Sequence, residues 1–147
     1  MNEKENTAAL LSAIHKNVML GCDNIAAVVP MIEDKFLMTN VTAQLEHYSE
    51  LKSRTESEMD KYGIRPQKLS MYEKLRTRAG IMASTVFDSS DAHIAEMIER
   101  GTRRGADELE RTMTSAGQGV CDEASMRLCK CVIDFERREA DRVRDFT

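Results

Sequence analysis

The chain has 147 residues, 41% of them hydrophobic and 31% charged, with a formal net charge of −4. That is one domain's length with enough apolar content for a core, which excludes a disordered chain, and the acidic balance excludes a global basic field that would gather nucleic acid. No apolar run approaches the roughly 20 residues needed to cross a bilayer, and ten Met against seven Gly, two Pro and no Trp favour helix over sheet.

Five segments repeat apolar residues at steps of three or four, the spacing that stacks side chains on one helix face, and none alternates as a strand does. The first is predicted to start at Thr7 as N-cap and run to about Ile32, with Leu11, Ile14, Val18, Cys22, Ile25 and Val29 on its covered face. Pro30 kinks or stops its last turn. The second runs from about Asp34 to Tyr62 through Leu37, Val41, Gln44, Tyr48, Leu51, Thr55, Met59 and Tyr62. So short a connection sets the two antiparallel. Gly63 supplies a left-handed cap, and Pro66 forbids continuation. The third segment, about Lys68 to Phe87, is shorter, with Tyr72, Leu75, Ala79, Met82 and Val86 in step. Asp88-Ser89-Ser90-Asp91 holds the cap of the fourth, which carries Ile94, Ile98, Gly101, Gly105, Leu109 and Thr112 and ends at Ser115-Ala116-Gly117-Gln118-Gly119. The fifth runs from about Cys121 to Asp145 through Leu128, Val132, Phe135, Glu139, Arg142 and Phe146. The expected fold is all-α: one domain, 1–147, an antiparallel up-down four-helix bundle with the third helix as a crossover or flanking element.

Several polar residues interrupt the stripes. Glu139 sits between Phe135 and Arg142, where a carboxylate must be solvated, protonated or paired, and a cation on a facing helix is the plainest partner. Gln44, Tyr48 and His15 join it as members of an internal polar network that fixes register. His47 is placed at the edge of its stripe. His93 and Glu96 share a face at the start of the fourth helix. They are read either as a first-turn pair or, with Glu139 and Glu46, as candidate ligands for iron, manganese or zinc. Gly101 and Gly105 permit close helix approach inside the bundle or across a dimer. The alternating charges of the last helix read as a solvated face laced with ion pairs, with contact to a second subunit as the alternative. Arg100, Arg103 and Arg104 cluster without aromatic interleaving, so no nucleic-acid role is expected. The four cysteines lack zinc spacing and are expected to be free thiols. Met-Asn-Glu-Lys-Glu has no basic and apolar leader pattern, so a cytoplasmic location is expected, and no membrane partner.

Three stretches resemble the ferritin-like superfamily, and more narrowly small ferritin-like proteins of clostridia and related Firmicutes that have no established activity. They are Leu11 to Asp34; Gln44-Leu45-Glu46-His47-Tyr48-Ser49-Glu50-Leu51; and Ala79-Gly80-Ile81-Met82 with His93 to Thr102 and Gly105. The resemblance implies a bundle of four long antiparallel helices. Its di-metal members use a Glu-x-x-His pair from each of two helices. No Glu here is followed by His at the third position: Glu46 meets Ser49, Glu99 meets Thr102 and Glu139 meets Arg142. Glu96/Glu99 and Glu136/Glu139 are Glu-x-x-Glu pairs, and His93/Glu96 is reversed. Ferroxidase chemistry therefore does not carry over. The expectation is a non-enzymatic bundle without cofactor, acting as a homodimer or with a protein partner. The rival is a metal protein with an altered site in metal handling or oxidative stress.

Overall fold

A computed structural model describes residues 2–69, 71–86, 88–116 and 120–147 and, within them, every side chain but those at 71, 72, 75 and 116. The expected helix end at Phe87, the Gly117-Gln118-Gly119 break and the placement of Tyr72 and Leu75 lie outside the described residues. Among the described residues all regular structure is helical: α1 Glu3–Val28, one 3-10 turn Val29–Met31, α2 Lys35–Lys61, α3 Met71–Thr85, α4 Asp91–Ala116 and α5 Glu123–Arg144. None of these helices is long and apolar enough to cross a membrane.

The helix ends follow local chemistry. α1 begins before Thr7 because Asn2 caps it, its side chain accepting from the Glu5 N–H at 2.9 Å; Asn followed three residues on by Glu is a capping signature. Thr7 is instead buried, and its Oγ1 accepts from the Asp122 N–H at 2.9 Å. That bond ties α1 to the N-cap residue of α5. Pro30 opens the 3-10 turn that closes α1. Asp34 caps α2 through the Leu37 N–H at 2.8 Å. At its other end Gly63 takes φ 66°, while Ile64 N–H donates to Met59 O and Gly63 N–H to Asp60 O, satisfying the last carbonyls. Asp91, first residue of α4, accepts from the backbone N–H groups of Glu33 and Asp34 at 3.0 and 2.6 Å, clamping the α1–α2 connection.

Paired residues give the helix directions. Gly21 meets Tyr48 and His15 meets Glu56, so α1 and α2 run oppositely. Arg103 reaches Asp141 and Arg137 reaches Glu110, so α4 and α5 do too. Tyr48 with Glu136 and Arg54 with Cys131 set α2 against α5 in the same sense. α2 and α4 run the same way, since Asp34 sits by Asp91 and Gln44 by Thr102. The segment holding α3 therefore carries the chain back along the molecule. α3 is fixed near one end by Lys16–Glu73 at 2.8 Å and at the other by Ser84 against His93. The charges of α5 form ion pairs with α4 as well as within α5; exposed pairs of this kind contribute about 0–1 kcal/mol each and chiefly hold register.

The core is lined by Leu10, Leu11, Ile14, Val18 and Ile25 of α1, the expected α2 stripe from Leu37 to Met59 (Tyr62, its last member, is half-buried), Ile94, Ile98 and Leu109 of α4, and Leu128, Val132, Phe135 and Val143 of α5. Three expectations are corrected. On α4 Gly101 is exposed and the buried small residues are Thr102 and Ala106, whereas Gly105 does allow close approach, to Asn17 and Glu136. On α5 Arg142 is exposed, and Val143 takes the core position. On α3 the apolar stripe faces outward: Met82 is 66% and Val86 68% exposed, and Ala79 is exposed with them. The side of α3 toward the other helices carries Glu73, Thr77, Ile81 and Ser84 instead, and Ile81 packs on the core.

Candidate functional site

Midway along the four long helices a polar cluster interrupts the hydrophobic core. Its centre is Glu136 of α5, 2% exposed, which follows Val132 and precedes Ala140 by one turn each and so falls on the buried face. Tyr48 of α2, 1% exposed, donates its hydroxyl proton to Glu136 Oε2 at 2.6 Å. Asn17 of α1 also hydrogen-bonds Glu136 and donates from Nδ2 to the Gly105 carbonyl of α4 at 2.9 Å. Gln44 of α2 donates from Nε2 to Thr102 Oγ1 of α4 at 3.2 Å, and both lie within hydrogen-bonding reach of the Tyr48 hydroxyl.

Two glycines make room for this cluster. A Cβ on Gly21 would stand 2.5 Å from Cζ of the Tyr48 ring, and one on Gly105 would stand 2.8 Å from Glu136 Oε2. Phe135 packs edge-on against the Tyr48 ring, centroids 5.0 Å apart. The phenol is thus held by a glycine on one side, an aromatic ring on another and a carboxylate at its tip.

Burial pushes the Glu136 carboxyl up to about 7, against the opposing hydrogen bonds from Tyr48 and Asn17 and with a smaller push from Glu108. Burial, the Glu136 charge and its hydrogen bond push the Tyr48 hydroxyl well above its ordinary value. Burial, with the nearby negative groups, raises the Cys129 thiol to about 12, so it is inert as a nucleophile. The buried acceptors Glu136 Oε1, Asn17 Oδ1 and Gln44 Oε1 have no hydrogen-bond partner among the described residues. The cluster can hold a proton near neutrality and fix helix register; it contains no activated nucleophile.

The four candidate ligands do not converge. Glu46 is exposed. Glu96 is exposed and faces Arg100 at 3.7 Å. The Nε2 of His93 lies 2.9 Å from both the hydroxyl and the carbonyl of Ser84. Glu139 is buried, but its cation is Arg142 on its own helix at 2.9 Å rather than one on a facing helix. Among the described residues no three His, Cys, Asp or Glu side chains are grouped to hold a metal ion. Nor do Glu139 and His15 join the central network: His15 is buried against Glu56, 3.0 Å from its Oε1. His47 stacks on Phe135, centroids 4.2 Å apart. Because Arg142 is 61% exposed, Glu139→Gln is expected to keep the full helix content by circular dichroism and to cost less than about 1 kcal/mol in a thermal melt. Loss of helix on that change would mean that the ion pair holds α5.

The sequence reading found Gln44 and Tyr48 but placed their carboxylate one turn late, at Glu139. The signal for Glu136 is the four-step series Val132, Glu136, Ala140, which runs beside the equal four-step Phe135, Glu139. Asn17 and Gly21 carry no such signal; their roles come from helices they meet far away in sequence. No family model, no curated protein and no solved structure matches this chain.

Proposed function

We propose that this chain is a non-enzymatic four-helix bundle of the ferritin-like kind, acting by association as a homodimer or as a platform for another protein. Two long antiparallel pairs, with α2 and α4 running the same way and α3 between them, support the bundle and a single long crossover. The observation that carries the association reading is the apolar face that α3 turns to solvent, with Phe36, 80% exposed, at the end of the molecule where α3 finishes. A di-metal cage does not fit the interior: its donor set is one carboxylate, one phenol, two amides and one hydroxyl, far short of the carboxylates and imidazoles that two iron or manganese ions take. Free thiols at Cys22, Cys129 and Cys131 support a reducing compartment such as the cytoplasm.

The rival reading, a metal protein with an altered site, is favoured by one observation: the unpartnered oxygens of Glu136, Asn17 and Gln44 are hard donors. Purification without chelator or affinity metal, followed by measurement of iron, manganese and zinc, separates the two. The bundle reading expects substoichiometric metal and a melting midpoint that added metal leaves within about 1 °C, because a ligand binding only the folded state raises stability. A tightly held stoichiometric metal would overturn it. Sedimentation at several concentrations tests the association: a strict monomer across the micromolar range removes the homodimer.

A further inference from the structure

The outward face of α3 has the composition and charge order of a surface that pairs with itself. Ala79, Met82, Ala83 and Val86 recur at steps of three and four and are all exposed, on the side opposite Glu73, Thr77, Ile81 and Ser84. An apolar stripe at helical spacing that lies mostly in solvent needs another surface to cover it. Arg76 and Arg78 flank the stripe toward the start of α3, and neither makes an ion pair among the described residues. Asp88 is exposed just beyond its end, where it accepts from the hydroxyl and the N–H of Ser90. Gly80 has nothing within 4 Å of where its Cβ would stand, so the surface is open to close approach there.

We infer that the occupant of this face is the α3 of a second copy, laid antiparallel across a two-fold axis near Met82 and Ala83. The inference rests on the association reading above and names its surface. Charge order selects the orientation. With the axis there, Ala79 of one copy lies level with Val86 of the other, and Arg76 and Arg78 lie level with Asp88, so opposite charges meet at both ends. A parallel pair would set arginine on arginine and aspartate on aspartate, which is repulsive. An isologous arrangement also closes the assembly at two copies, because the same stripe is consumed on each side.

The test is sedimentation velocity on the full chain with exposed-site variants. Wild type is expected to be a dimer in the micromolar range. Met82→Glu is expected to raise the dissociation constant at least tenfold, leaving the helical circular dichroism unchanged, since Met82 touches solvent in the monomer. Arg76→Glu with Arg78→Glu is expected to weaken the dimer most at low salt, where exposed charges are least screened. Orientation is read by oxidative cross-linking against a wild-type background: Met82→Cys, at the axis, forms a covalent dimer, and Arg76→Cys, far from its own copy, does not. Equal cross-linking at both positions overturns the antiparallel geometry. A wild-type dimer that Met82→Glu leaves intact overturns this surface while the association reading stands. A monomeric wild type overturns both this surface and the homodimer.

Discussion

Glu136→Gln is expected to melt at a higher temperature than wild type at pH 8 and to flatten the dependence of stability on pH above about 4.5. The cause is the buried carboxyl, held in the folded chain at about 7 against an ordinary value of 4.5. A folded pKa above the unfolded one means that the native state binds the proton more tightly. Its contribution is complete below the unfolded value and is lost as pH rises through the folded one. Between pH 4.5 and about 7 the wild type therefore loses roughly 3 kcal/mol, taking 1.36 kcal/mol per unit. For a domain of this size that is about 6–12 °C in melting midpoint. Glutamine keeps an acceptor for the Tyr48 hydroxyl and cannot ionise. The acid limb has the opposite sign and is shared by both proteins. Asp88 is held below its ordinary range by the Ser90 hydroxyl and N–H; Asp122, against some burial, is held low by Ser125 and Tyr62. What these contribute is lost as pH falls through their depressed values. Wild type is thus most stable near pH 4–5, and the variant holds a plateau from there upward. Thermal melts from pH 4 to 9 check it; parallel curves for the two proteins would show that Glu136 does not titrate inside the fold.

Gly21→Ala is expected to destabilise by about 2–3 kcal/mol, against the gain of about 1 kcal/mol that the same change brings at an unhindered helix position. The new Cβ would lie 2.5, 2.6 and 2.9 Å from three atoms of the Tyr48 ring. That ring cannot step aside cheaply, because Phe135 packs on it and Glu136 holds its hydroxyl. Gly101 gives the control: it sits inside α4 with nothing within 4 Å of its Cβ position. Gly101→Ala should gain about 0.5–1 kcal/mol. Opposite signs for one substitution at two helical glycines, read by urea or thermal unfolding, test whether α1 and α2 close on Tyr48. A gain at both sites would mean that they do not.

Much of the fold can be read in the chain because helix periodicity is local. Every expected core position of α2 from Leu37 to Met59 is buried, Gln44 and Tyr48 included. The Asp34 cap and the left-handed Gly63 follow from residue chemistry alone. Errors arise where two periodic readings compete. Glu139 follows Phe135 and Glu136 follows Val132, each at a step of four, and only the facing Tyr48 decides which is central. On α3 the period is right and the direction wrong, since a stripe announces that it needs a partner without saying that the partner lies in the same chain. His93 shows the same limit. Its spacing to Glu96 is that of a ligand pair, yet the imidazole turns to Ser84, which the crossover brings back to it.

The account rests on one ionisable carboxylate, gripped by neutral partners, at the centre of the four long helices. The direct measurement is a carbon-13 titration of the Glu136 side-chain carboxyl by NMR. The account predicts a midpoint near 7, well above that of an exposed glutamate and unmoved by added manganese or zinc. A midpoint in the ordinary carboxylate range, or a signal that a stoichiometric cation displaces, would contradict it.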